Sequence, residues 1–278
     1  MKQQPIESLI VTTKAHQLSK SLKPLLHRIS RLSTIVLLHN GLGVIEEVLG
    51  SCFPHPESRP SFILANTSHG VLKLDSATTS MPQTLALSSE SNPLMNPSLS
   101  ITPTLDHHLP HLKPETHSLH HTLAALLQPE IVEALGTKWL TLPEFQTSAL
   151  VKLTVNAALN PITALLETRN EALVGERSFE RLAKGICHEA STVFALQAKE
   201  EKGFPLDHPL AKQNLLRHVR QVMKATGPNI SSMCADVRKL ANEQTEIDYI
   251  NGYISKLGEK YGVLTPINDT LVQLLKLK

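Results

Sequence analysis

The stretch TIVLLHNGLGV (34–44), running on into VIEEVLG (44–50), decides the fold class. Its first half is apolar and β-branched without polar alternation, as in strands buried on both faces of a parallel sheet. Asn40-Gly41 then turns the chain, and helical spacing begins at once. Upstream, SLIVTTK (8–14) has the same strand character. LSKSLKPLLHRIS (18–30) between them is spaced as a helix, with Pro24 placed to bend or delay it. SFILAN (61–66) and GVLKLDS (70–76) predict two more strands around a short turn. Strand, helix, strand, glycine turn, helix is the grammar of a doubly wound α/β sheet.

Residues 76–121 break the pattern. They hold six of the 18 prolines, six of the 14 histidines and no glycine, which predicts a long surface excursion. TLAL (84–87) could still pair as a strand. Beyond about residue 140 the spacing turns helical, over 148–167, 179–201, 209–226, 231–242 and 245–262, with a last helix in NDTLVQLLKLK. The expected organisation is α/β followed by all-α, with domains at 1–139 and 140–278.

Lys+Arg 27 against Asp+Glu 25 leaves a net charge of +2, and nothing forms the basic stripe that nucleic-acid binding uses. Cys52, Cys187 and Cys234 lie far apart, which suits a reducing compartment better than a disulfide framework. The apolar run near Met1 is too short for a signal-peptide core, and no uninterrupted stretch nears the ~20 apolar residues of a membrane span. A soluble cytoplasmic protein without a membrane partner is expected, with a mitochondrial address left open.

Within VKLTVNAALNP (151–161), Lys152, Asn156 and Asn160 stand at i, i+4 and i+8, one line along a helix that is otherwise apolar all round. Buried polar groups cost roughly 1–3 kcal/mol each unless satisfied, so the line predicts a functional seam rather than a wet face. Pro161 removes the hydrogen bond to the Ala157 carbonyl and kinks the helix there. A lysine so placed can serve in acid–base chemistry. Lys14 follows the first strand, where open sheets bind anionic ligands. The amides of Asn40-Gly41-Leu42-Gly43 can cradle a polar ligand, although Glu46 stands where a dinucleotide fingerprint needs its third glycine. In 229–252, Ser231 and Ser232 can cap one helix, and Thr245 with Asp248 forms a capping box for the next. That box puts Glu246 in a first helical turn, where the dipole favours its anion. The histidines at 107, 108, 111, 117, 120 and 121 match no metal-ligand spacing, and no metal site is expected.

LIVTTKAHQ with Lys14, IVLLHNGLG with Asn40, KLTVNAALNP with Lys152, Asn156 and Asn160, NISSMCADVRKLANEQTEIDYINGY with Ser232 and Glu246, and GVLTPINDTL occur in that order. Together they resemble the ketopantoate reductase (2-dehydropantoate 2-reductase) family, over nearly the whole chain apart from 76–121. The resemblance implies a Rossmann domain followed by a helical domain like that of 6-phosphogluconate dehydrogenase, which binds substrate and supports a possible homodimer. It implies NADPH-dependent reduction of a small 2-oxo acid, 2-dehydropantoate, to pantoate. On that resemblance Lys152 is the general acid, Glu246 holds the substrate's hydroxyl end and Ser232 its carboxylate. Asn156 and Asn160 position Lys152 and the substrate, and Lys14 and Asn40 line the cofactor side. The family also carries a first strand with a G-x-G-x-x-G turn, which these 278 residues do not contain. The Rossmann domain is therefore expected to be incomplete, and NADPH binding by this chain alone weak or absent. Two readings stay open: a reductase known here from an N-terminally incomplete sequence, or a catalytically inactive relative acting as a binding or dimerisation module.

Overall fold

The apolar runs fold as strands and the spaced runs as helices. The computed structural model describes residues 4–67, 99–104, 117–200, 208–239 and 244–278. In chain order these form β1 (Ser8–Val11), α1 (Leu18–Leu22), β2 (Thr34–Leu38), α2 (Val44–Ser51), β3 (Ser61–Thr67), β4 (Leu99–Thr104), α3 (Ser118–Leu126) and α4 (Pro129–Leu135). There follow β5 (Lys138–Trp139), α5 (Leu142–Leu166), α6 (Arg177–Glu200), α7 (Lys212–Ala225), α8 (Ser232–Lys239), α9 (Asn251–Tyr261) and α10 (Pro266–Leu277). The chain divides into two units. One comprises Met1–Thr12, Leu22–His39 and Cys52–Leu142, and the other Thr13–Ser21, Asn40–Ser51 and Pro143–Lys278.

The first unit is a sheet of order β1-β2-β3-β4-β5. β1, β2 and β3 run parallel, in register Ser8↔Thr34 and Thr34↔Ser61. Its core gathers Val36, Ile63, Ala65, Leu99, Ile101 and Leu123. Ser118 ties α3 to the sheet, its hydroxyl donating to the Leu32 carbonyl and meeting Thr34 Oγ1 at 2.7 Å. Among the described residues β1 pairs only with β2, and Ile10 on it is 56% exposed, as expected of an apolar edge.

Two expectations need correction. Residues 76–121 are not one surface excursion, because 99–104 form β4, an inner strand antiparallel to β3 with Ile101 fully buried. Pro103 hid that strand, since proline cannot donate to a ladder. The Ile101 carbonyl accepts from Leu140 N–H, so Pro103, two residues on, faces the same side. Among the described residues β5 pairs only with Ser100 and Ile101, and the missing donor therefore lies past its end. The helix expected over 18–30 is five residues of α1, followed by a 3-10 helix at Lys23–Arg28 with Pro24 in its first turn. The strand expected over 70–76 and the possible strand at 84–87 lie outside the described residues.

His39, just after β2, has its imidazole pushed down to about 4 from 6.5 by burial, and neither ring nitrogen has a hydrogen-bond partner among the described residues. The unfolded chain takes up this proton near pH 6.5 and the folded chain only near 4, so stability falls as pH drops through that window. Melts at pH 7 and pH 4.5 are expected to differ by roughly 1–3 kcal/mol through this group. His39→Leu should remove that share of the difference. An unchanged acid sensitivity in the variant would contradict the assignment.

The second unit is helical and centres on α5. Leu150, Leu153, Val155, Ala157, Ala158, Leu159, Ile162 and Ala164 of α5 are all buried. Leu142–Leu166 is long and apolar enough to cross a membrane by composition, but 72% of its most apolar window is buried inside the protein. α6 supplies Ala183, Ile186, Ala190, Val193 and Phe194 to the same core, at the i, i+3, i+4 spacing of an amphipathic helix.

Proline inside α5 costs a backbone hydrogen bond, and the helix nonetheless runs on through Pro161. The Ala157 carbonyl thus released accepts from Asn251 Nδ2 at 3.1 Å. The other amide hydrogen of Asn251 goes to Asn268 Oδ1 at 2.9 Å. Asn268 Nδ2 in turn donates to Glu189 Oε2 at 2.6 Å, and the amides of Ile267 and Asn268 donate to the two Glu189 oxygens. A buried carboxylate thus sits on the N-terminus of α10, where the free amides and the dipole favour it. α5, α6, α9 and α10 are joined by one polar chain.

Candidate active site

The expected seam forms on α5. Lys152 and Asn156 are half-buried and Asn160 is buried, all within one unbroken helix. Lys152 Nζ donates to Asn40 Oδ1 at 3.0 Å. Burial pulls the Lys152 ammonium down from 10.5 to about 8, and the charge of Glu246 opposes that pull. The result is a lysine that is mostly protonated at neutral pH yet gives up its proton far more readily than a surface lysine.

Asn40 reaches Lys152 because of the turn that follows it. Gly41 adopts φ +84°, and a Cβ there would stand 2.5 Å from the Tyr249 carbonyl oxygen and 2.6 Å from Tyr249 Cβ. Leu42 N–H donates to that same carbonyl at 3.0 Å, and Tyr249 Oη donates to Glu47 Oε2 at 2.7 Å. This corrects one expectation: the Leu42 amide is committed to the protein rather than offered to a ligand. Glycine is needed here for close packing as well as for its dihedral angle. Gly41→Ala should therefore cost about 1–3 kcal/mol in a thermal melt and loosen Asn40. A variant as stable as wild type would show that the turn tolerates a side chain.

Glu246 is 5% exposed, and its Oε1 accepts from Ala15 N–H at 3.2 Å. Ala15 opens the 3-10 helix at Ala15–Gln17, so this carboxylate caps a segment 231 residues away in sequence. The capping box expected at Thr245 and Asp248 does not form. Glu246 holds the N-cap position of a 3-10 helix at Ile247–Tyr249 without a side-chain cap bond, and α9 starts only at Asn251. Asp248 pairs instead with Lys276 Nζ at 2.7 Å, a long-range partner that outweighs the local motif.

Lys14 does not stand as an isolated cation. Its Nζ meets Asp236 Oδ2 at 2.5 Å, with Asp236 buried on α8. Sequence reasoning missed Asp236, and the available signal was its place four residues after Ser232, one turn along the same helix. Of the two serines, Ser231 is the cap, accepting from Cys234 N–H at 3.1 Å, while Ser232 is exposed in the first turn. The structure thus brings Lys152 to Asn40 and within electrostatic reach of Glu246, and Lys14 beside the residue that Glu246 caps. Asn156 and Asn160 share the seam. Ser232 begins the helix whose next turn carries Asp236.

Of the histidine group, positions 107, 108 and 111 lie outside the described residues. His117 Nδ1 accepts from Leu119 N–H, which leaves Nε2 to donate to the Arg31 carbonyl, so both ring nitrogens are committed. Among the described residues no three potential ligands converge.

These features define the class: a Rossmann-like α/β unit, and a helical unit carrying a half-buried lysine bonded to an amide and influenced by the charge of a buried carboxylate. The ketopantoate reductase PanE/ApbA family model matches residues 1–85, and its C-terminal counterpart matches residues 144–278. The 2-dehydropantoate 2-reductase of Vibrio cholerae is 31% identical over 269 residues, covering 96% of this chain and 76% of that one. The probable 2-dehydropantoate 2-reductase of Schizosaccharomyces pombe is 31% identical over 287 residues, covering 98% and 74%. Among solved structures, the ternary structure of D-mandelate dehydrogenase with NADH and anilino(oxo)acetate matches with a TM-score of 0.68 at 22% identity, covering 99% of this chain and 77% of that one. The putative 2-dehydropantoate 2-reductase from Enterococcus faecalis matches with a TM-score of 0.59 at 22% identity, covering 99% and 76%. The structural matches support the fold, and the sequence matches go further. This chain belongs to the ketopantoate reductase family.

Proposed function

We propose that this chain reduces 2-dehydropantoate to pantoate, with Lys152 as the general acid. The observation that carries the reading is the Lys152 ammonium, held by Asn40 Oδ1 at 3.0 Å, softened to about 8 by burial and within electrostatic reach of Glu246. A positioned ammonium donates a proton to a developing alkoxide and stabilises its charge beforehand. Glu246 spends one oxygen on Ala15 N–H. Its other oxygen is assigned to the substrate hydroxyl. Ser232 is assigned to the carboxylate end, with Asn156 and Asn160 orienting the ketone against Lys152. In this reading residues 1–139 serve the cofactor and residues 140–278 bind substrate and support a homodimer.

A nicotinamide dinucleotide, NADPH in this proposal, supplies hydride to the ketone carbon when bound. Lys14 and Asn40 suit the nicotinamide end of such a molecule. Among the described residues nothing suits its phosphates, since the Asn40-Gly41-Leu42-Gly43 turn is packed against Tyr249. The relatives, reductases by name over nearly the whole chain, favour turnover over a binding-only module. The test is incubation of the purified chain with NADPH and 2-dehydropantoate, followed by quantification of pantoate. Saturable pantoate formation supports the reading, and its absence at high enzyme concentration counts against it.

A further inference from the structure

Two hydroxyls that the reading above leaves unused join the helix carrying Asn160 to the helix carrying Ser232. Thr163 is fully buried on α5, and its Oγ1 lies 2.7 Å from Ser231 Oγ, itself 8% exposed at the cap of α8. Thr163 Oγ1 also lies 2.8 Å from the Leu159 carbonyl and 3.1 Å from that of Asn160. Each hydroxyl has a single proton, which fixes the direction of the chain. Cys234 N–H donates to Ser231 Oγ, Ser231 donates to Thr163 Oγ1, and Thr163 donates back to its own helix. A serine cap alone fixes only the local first turn of an eight-residue helix. The Thr163 bond fixes where that turn sits along α5, at the turn bearing Asn160, with Ser232 as the next residue.

We infer that Thr163 is a positioning residue, which sets the spacing between Asn160 and Ser232 and thereby the fit of a short 2-oxo or 2-hydroxy acid between them. The inference rests on the reductase reading. Thr163 touches neither Lys152 nor Asn40, so its effect falls on binding rather than on proton transfer. Thr163→Val keeps the shape and removes the hydroxyl, and Thr163→Ser keeps the hydroxyl.

The experiment is calorimetric titration of the full chain with pantoate, alongside thermal melts. Thr163→Val is expected to weaken pantoate binding by about tenfold, the worth of roughly one hydrogen bond, with Thr163→Ser restoring it. Where turnover is measured, KM should rise while the pH above which kcat/KM falls, set by Lys152, stays in place. Should Thr163→Val fail to fold, Ser231→Gly cuts the same bond from the other side, and glycine is a tolerated cap. Binding unchanged in a variant that has merely lost thermal stability would overturn the inference and leave the reductase reading standing. A wild-type chain that binds no pantoate would remove the reading and the inference together.

Discussion

Replacing Lys152 by methionine is expected to lower kcat by roughly a hundred- to ten-thousand-fold, the usual worth of a positioned general acid. The protein itself should not suffer. In the unfolded chain the lysine titrates near 10.5 and in the folded chain near 8, so folding works against its charged form. That penalty is fully present below about pH 8 and is relieved as pH rises from there to 10.5. Methionine, similar in length and uncharged, removes it. A gain of about 1–3 kcal/mol at neutral pH is expected, discounted for partial exposure, and would appear as a Tm raised by a few degrees. Activity lost while stability rises is the mark of a residue kept for chemistry at a structural cost. A methionine variant that melts well below wild type would instead make Lys152 part of the scaffold.

Glu189 should show the opposite pattern. Its carboxylate accepts from Ile267 N–H, Asn268 N–H and Asn268 Nδ2, all close to the N-terminus of α10. Glu189→Leu would leave these donors buried without a partner and strip the compensating charge from the helix end. Breaking a buried, charge-assisted cluster by removing one member costs about 3–5 kcal/mol, which for a protein of this size lowers Tm by roughly 10 °C. The loss should also reach the seam. Asn268 orients Asn251, and Asn251 holds the Ala157 carbonyl released by Pro161, one residue from Asn156. Thermal and urea melts check the energy. A loss below about 1 kcal/mol would show that water replaces the carboxylate easily.

The two variants separate what was legible in the sequence from what was not. The Lys152, Asn156 and Asn160 line was legible because helix geometry converts a spacing of four into a shared face. Pro161 announced a free carbonyl but not its partner, since Asn251 lies 94 residues away. Asp236 escaped for the same reason, its ion pair with Lys14 spanning 222 residues. Glu246 was expected in the first turn of a helix begun by a Thr245–Asp248 capping box, whereas its carboxylate accepts from Ala15 N–H, and a backbone amide leaves no trace in side-chain pattern. β4 was lost beneath Pro103 because the rule against strand proline assumes a neighbour on both sides. The strand-and-turn grammar of 8–66 needed no such long-range knowledge, and β1, β2 and β3 lie in that order.

The most direct test of the account is the pH dependence of NADPH-driven 2-dehydropantoate reduction by the wild-type chain. Lys152 must be protonated to donate, so kcat/KM should hold below about pH 8 and then fall about tenfold per unit above it. A rate that stays flat to pH 10 would contradict the assignment of Lys152 as the acid.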